Sequence, residues 1–290
     1  MKALVIAANA VGLALRSWAL YVLLGFGLLA VFALGGVVRS IPREWMIQAE
    51  QFADSRQPGV AVKVQEELDE EEYREVMSVT ARDVCFIYLL VPAGVVCAVV
   101  LSALFNETRR PTTQTIASRP IRRSAIVLGS FLSALGVTLV VVAALAVGIW
   151  LLGLALLGES HWRVFYAAAA VCAALVAVAA WATCFSTLVN PIAAVPLALL
   201  HTAAGWKSVA VMKFLQDIAQ REAPGPPGLA AAGKLAYWLM PHYQHTHELA
   251  KALLFGDPVD PTTVDSIYLG LAHAAVALAL ASAVLKRRDL

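Results

Sequence analysis

Five stretches of this 290-residue chain run for twenty or more residues without an Asp, Glu, Lys or Arg. A helix needs about 20 apolar residues, at about 1.5 Å each, to cross the ~30 Å hydrocarbon layer of a bilayer. Ser17–Val38, Val84–Asn106 and Ser266–Leu285 each fit one crossing. Ser124–Gly158 would be about 52 Å long as a helix; it has no polar turn to divide it and reads as one long or tilted span. Val164–Trp206 would reach about 64 Å and carries the turn signal Asn190-Pro191 at its middle. It reads as two spans, with Pro196 in the early turns of the second, where proline is tolerated. The expected fold is therefore all-α and polytopic, with six transmembrane helices over 17–38, 84–106, 124–158, 164–189, 191–212 and 266–285.

Composition agrees with lipid as the solvent. Hydrophobic residues make up 60% of the chain and charged residues 14%, against roughly a quarter charged in soluble domains. Too little polar surface exists to cover a water-soluble protein of this size, which excludes a cytosolic globular enzyme. The net charge of +2 supplies no basic field for nucleic acid. The charges are nevertheless sorted. With six spans, Lys2, Arg16, the set Arg109, Arg110, Arg119, Arg122 and Arg123, and the tail Lys286, Arg287 and Arg288 share one face. These arginines and lysines crowd against short segments, which makes that face cytoplasmic and places both termini there, in the bacterial cytoplasmic (inner) membrane. The opposite face receives two extracytoplasmic excursions, 41–82 and 213–265. In Arg39–Asp83, eleven acidic residues outnumber six basic ones. Residues 1–16 carry Asn9 inside the apolar stretch and no cleavage pattern, so they read as a retained amphipathic helix at the membrane surface.

Several polar clusters invite a chemical reading. In the first excursion, Val64–Met77 reads as an acidic solvated helix. The second has a breaker cluster at Ala223–Gly228. Short amphipathic helices over Gly233–Leu239 and Glu248–Phe255 flank Pro241, and Tyr237, Trp238 and Tyr243 suit the membrane interface. Between those helices, His242, His245, His247 and Glu248 offer imidazoles and a carboxylate, a possible zinc or copper set. Their spacing matches no established zinc signature; the other reading is a surface cluster. His201 and His273 lie within spans and should face the bundle interior, as structural hydrogen-bonding groups or as contacts to a transported substrate. Cys85, Cys97, Cys172 and Cys184 all fall in spans and read as small packing residues. Gly25, Gly27 and the Ala-rich 167–182 favour close helix approach. No Gly-x-Ser-x-Gly element, Walker phosphate loop or paired intramembrane carboxylate is present, so the chain itself should not hydrolyse nucleotide.

The loop 107–123 carries five arginines and one acid, Glu107. Phe105–Leu132 resembles the permease subunits of ABC-2 type transporters. In these an acidic residue leaving the second span precedes a Gly-Thr pair, a Leu-Ser-x-Pro element, an arginine and a Gly-Lys step into the third span. Glu107, Thr112, Ser118, Pro120, Arg123 and Gly129 fall at the matching places, while Pro111 replaces the usual glycine and Ser130 the usual lysine. Lys2–Arg16 is similar to that family's interfacial entry helix, Leu239-Met240-Pro241 to its outer segment before the last span, and Ala283–Leu290 to its Arg-Arg-Asp-Leu tail.

The resemblance implies a permease subunit of an ATP-driven exporter. Glu107, Arg109, Arg110, Ser118, Arg119, Pro120, Arg122 and Arg123 would form the coupling loop that docks on cytoplasmic ATPase subunits, of which two are expected. ATP and magnesium would belong to those partners, with no cofactor in this chain. Membrane lipid and a second permease protomer, like or unlike, would complete the assembly. Two other classes fit the sequence: a membrane-embedded lipid-modifying enzyme using the 242–248 cluster, and a non-transporting signalling or assembly component that acts through 41–82.

Overall fold

The computed structural model describes residues 84–105, 123–157, 160–220 and 240–287, together with residues 4, 5, 8, 12, 25, 27–33, 36 and 37; for 209–220 the backbone alone is described. The entry helix 1–16 and the first span 17–38 therefore fall largely outside the described residues. The acidic excursion 41–82 and loop residues 107–122 fall wholly outside them. The described elements are helical, with no strand among them. They are α1 (Val91–Phe105, entered through a π-turn at Phe86–Leu90), α2 (Arg123–Leu157), α3 (Arg163–Leu188), α4 (Pro191–Gln220), α5 (Tyr243–Phe255) and α6 (Pro261–Arg287).

Local sequence explains where these helices begin, widen and stop. Pro92 has no amide to return to the preceding turn, and the strain is relieved just ahead of it: the Val91 N–H bonds back five residues to the Phe86 carbonyl. The break between α3 and α4 falls at Asn190-Pro191, as the sequence predicts. Val189 is extended, the Asn190 side-chain oxygen accepts from the Ala193 amide at 2.7 Å, and Pro191 takes the first helical position, where a missing N–H costs nothing. Helix α2 runs unbroken through 35 residues, matching the single long span expected for 124–158.

Two boundaries differ from expectation. Helix α4 continues to Gln220, past the expected end at 212. Helix α6 starts at Pro261, five residues before the charge-free run, because the Asp260 carboxylate accepts the Thr262 amide at 2.9 Å and opens the helix before its first apolar turn.

Helix α3 is the axis of the bundle and packs on α1, α2, α4, α5 and α6. Alanines make this possible: Ala167, Ala177, Ala179 and Ala180 are buried and let neighbouring backbones approach closely. The size sorting on α6 reverses that of a soluble helix. Ala274, Ala277 and Ala281 are buried, whereas Tyr268, Leu271, Val276 and Leu280 are exposed. Large apolar side chains outside and small ones inside suit contact with acyl chains. Among the described residues four helices, Phe86–Phe105, Arg123–Ala155, Arg163–Leu188 and Pro261–Arg287, are long and apolar enough to cross a membrane. Helix α4 is as long but is diluted by two prolines, His201, Trp206 and Lys207.

The expectation of close approach in the first span holds at Gly27. A Cβ on Gly27 would meet Leu145 of α2 at 2.9 Å, and one on Gly148 of α2 would meet Leu28 at 2.6 Å; at Gly25 no described residue lies within 4 Å. The Cys85 thiol contacts the Val31 carbonyl at 3.8 Å. All four cysteines are free thiols set in helices, in keeping with packing roles. Four buried hydroxyls are satisfied within their own helices: Ser133, Thr138, Thr183 and Thr202 each donate to the carbonyl four residues back, at 2.6–2.8 Å.

Candidate functional site

Two arginines tie the bundle together at opposite ends, and each does so by closing another helix. The last carbonyls of a helix lack intrahelical donors and carry the negative end of its dipole, so a guanidinium placed there is both a hydrogen-bond partner and a counter-charge. Arg123, the first residue of α2, donates to the Leu285 and Lys286 carbonyls of α6 at 2.9 and 3.1 Å. Arg163, the first residue of α3, donates to the Phe255 carbonyl of α5 at 2.8 Å. At that second end Gly256 adopts φ +81°, and the Gly256 and Asp257 amides both return to Ala252, ending α5 sharply. An aromatic cluster marks the same end: Trp162 lies 5.3 Å from Trp150 and 5.6 Å from Phe165, and the Trp150 indole donates to Ser160 at 3.0 Å. Such a girdle is what a membrane interface selects.

Helix α5 sets the geometry of the site. It ends at Arg163, but its beginning lies deep along the bundle. A Cβ on Gly205, about 21 Å along α4 from Pro191, would meet the Pro241 carbonyl at 2.6 Å and the Tyr243 ring at 2.8 Å. Tyr243 also shares a crevice of about 10 Å³ with Val91, Val95 and the stretch of α3 from Val171 to Val178. Higher up, the Thr246 and Ser266 hydroxyls bond at 3.0 Å, joining α5 to α6. Thus α5 starts beside the middle of α3 and α4 and rises along α3 to its Arg163 end. This corrects the reading of Tyr243 as an interfacial residue: only 3% of it is exposed, and its hydroxyl is buried without a hydrogen-bond partner. Tyr237 and Trp238, read the same way, lie outside the described residues. The helix expected to begin at Glu248 begins five residues earlier, at Tyr243.

The 242–248 cluster is divided by helical geometry. His245 and Glu248 share one face and meet at 3.2 Å, Gln244 donates to the other Glu248 oxygen at 3.0 Å, and the His242 and His245 rings are 6.0 Å apart. His247 is on another face, 5.2 Å from the ring of Trp206. Among the described residues no three His, Cys, Asp or Glu side chains are grouped to hold a metal ion. Two histidines expected to face the bundle do converge. The His201 ring stacks 4.7 Å from Trp181, the His273 ring lies 6.5 Å from the same indole, and Phe185 is 5.7 Å from His201. The Trp181 indole nitrogen and His201 Nδ1 are both buried without partners.

Of the residues expected to form a coupling loop, Arg123 is described and sits on the end of α6. Glu107, Arg109, Arg110, Ser118, Arg119, Pro120 and Arg122 lie outside the described residues. The sequence reading missed Arg163 and Trp181. The signal for Arg163 was its place at a helix start after an aromatic turn; for Trp181 it was an indole N–H in an otherwise alanine-rich span. No protein-family model matches this sequence, and no curated protein matches it.

Proposed function

We propose that the chain is the permease subunit of an ATP-driven transporter of the ABC-2 type, crossing the cell membrane six times with both termini in the cytoplasm. The carrying observation is the loop 107–123, whose five arginines and single acid stand between two apolar helices. Its last arginine, Arg123, grips the carbonyl end of α6. A motor that pulls on this loop acts on α2, and through Arg123 on α6, so rigid-body motion at the cytoplasmic end reaches two helices together. Helices 191–220 and 17–38 complete the six crossings in this reading. The substrate path then forms between this bundle and a second permease protomer, with two ATPase subunits supplying ATP and magnesium chemistry and export as the direction. Mild-detergent purification of the full chain from its own cells should bring down a Walker-motif ATPase in near-stoichiometric amount. Charge reversal at Arg119 and Arg122 should release it while the chain still inserts. An unchanged yield of ATPase in that variant would refute the docking role of the loop.

A further inference from the structure

The start of α5 roofs a seam between α4 and α6 whose floor is Trp181. Register along each helix places the parts. Trp181 is three residues beyond Val178, which shares the Tyr243 crevice, so it lies about 4.5 Å further toward the Arg123 end. His201 precedes Gly205, the residue that meets Tyr243, by one turn, about 6 Å in the same direction. His273 is seven residues past Ser266, the partner of Thr246; allowing for the rise from Tyr243 to Thr246, it falls about 6 Å below Tyr243. The ring contacts of Trp181 with His201 and His273 agree with this common level.

The chemistry at that level is one-sided. The first amides of α5 point toward it with the positive end of the helix dipole; the Tyr243 amide bonds to the Pro241 carbonyl at 3.1 Å, and the His242 side chain does not cap those that follow. Independently of the helix end, Tyr243 is 3% exposed and its buried hydroxyl is unpaired; the Trp181 indole N–H, a donor alone, and His201 Nδ1 are likewise buried, unpaired atoms, on side chains that are themselves half-buried. No Asp or Glu occurs on α3, on α4 through Ser208, or on α6 beyond Asp265. Outside the seam the walls are aliphatic, with Leu197 and Leu200 of α4 and Val276 and Leu280 of α6 exposed.

We propose that Tyr243, Trp181, His201 and the amino end of α5 form a binding site for an oxyanion, a carboxylate or phosphate, carried into the membrane on an apolar molecule. The Tyr243, Trp181 and His201 side chains each donate or are able to donate, and the approach between α4 and α6 is hydrocarbon-like. A half-helix ending at mid-depth is a recurrent way to hold an anionic group away from water. As a statement about substrate this rests on the permease reading; as a statement about binding it does not, because it needs neither ATP nor an ATPase.

The test uses the full chain in neutral phosphatidylcholine nanodiscs without ATPase. Three diazirine probes of equal chain length are compared: a fatty acid, a lysophosphatidic acid and a fatty alcohol. Saturable labelling of α3, α4 or α5 near Trp181 and Tyr243 by either or both oxyanion probes, at least tenfold tighter than by the alcohol, is expected. Which probe succeeds identifies the head group. The double variant Trp181→Phe, Tyr243→Phe should weaken labelling at least tenfold, since it removes two donors that have no protein partner. If that variant is unstable, His201→Gln alone should weaken labelling severalfold. Equal labelling by the alcohol, wild-type labelling of the variants, or labelling spread evenly over lipid-facing positions would each overturn the site. Failure here with an ATPase still bound would leave the permease reading standing, and success without one would leave the site standing.

Discussion

Gly205→Ala is the most direct probe of where α5 begins. A Cβ there would stand 2.6 Å from the Pro241 carbonyl oxygen and 2.8 and 2.9 Å from carbons of the Tyr243 ring. Carbon to carbonyl oxygen contact needs about 3.3 Å, so the segment entering α5 must retreat by about 0.7 Å. The nearest obstacle is backbone, not the tip of a flexible side chain, and Tyr243 is enclosed. Overpacking of this kind costs about 1–3 kcal/mol. Alanine in a helix regains up to about 1 kcal/mol over glycine, leaving a net loss of about 0–2 kcal/mol. Gly270→Ala is the matched control, because nothing lies within 4 Å of its Cβ; it should be neutral or stabilising by about 0.5–1 kcal/mol. Unfolding of the purified chain in a fixed detergent, followed by far-UV circular dichroism, compares the two. Gly205→Ala equal to or more stable than Gly270→Ala would show that Pro241 and Tyr243 do not pack at the middle of α4, and the account of α5 as a half-helix would fail.

Gly256→Ala should destabilise by about 1–3 kcal/mol, since φ +81° is strained for alanine and its Cβ would run into the Arg163 guanidinium; thermal unfolding measures it. Arg123→Ala should raise hydrogen exchange in the last turn of α6 and leave α5 unchanged, while Arg163→Ala should do the reverse, because each arginine closes one helix. The Asp260 carboxyl titrates below its usual range because the Thr262 amide bonds to its charged form. Its stabilisation of the α6 start is therefore present above the ordinary carboxylate pKa of about 4 and lost as pH falls through the lowered value. Asp260→Asn should remove that acid-side dependence of exchange near Thr262 and Thr263.

The four long apolar helices were legible because charge exclusion over twenty residues leaves a chain few alternatives in lipid. The Asn190-Pro191 break was legible because both residues act locally, one as cap and one as first helical residue. What could not be read was how α5 sits. Its polar sequence, with Gln244, His245, Glu248 and Lys251, resembles a surface helix; only contacts with Gly205, Val178 and Ser266, remote in sequence, place it against the bundle core. The pattern of His242, His245, His247 and Glu248 suggested one ligand set because sequence proximity hides helical angle. Residues two apart diverge by about 200°, which sends His247 to Trp206 while His245 stays with Glu248. Arg123 was legible as a charge at the mouth of the loop but not as a cap, since its acceptors lie 162 and 163 residues away.

The permease reading is tested most directly by ATP hydrolysis in the reconstituted complex. The full chain and its copurifying ATPase, placed together in nanodiscs, are compared with a complex carrying Arg119→Glu and Arg122→Glu, at matched insertion. Hydrolysis stimulated by the wild-type chain and reduced at least tenfold toward the ATPase-alone rate by the charge reversal is the predicted result. Hydrolysis identical with the wild-type chain, the reversed chain and no chain at all would contradict it.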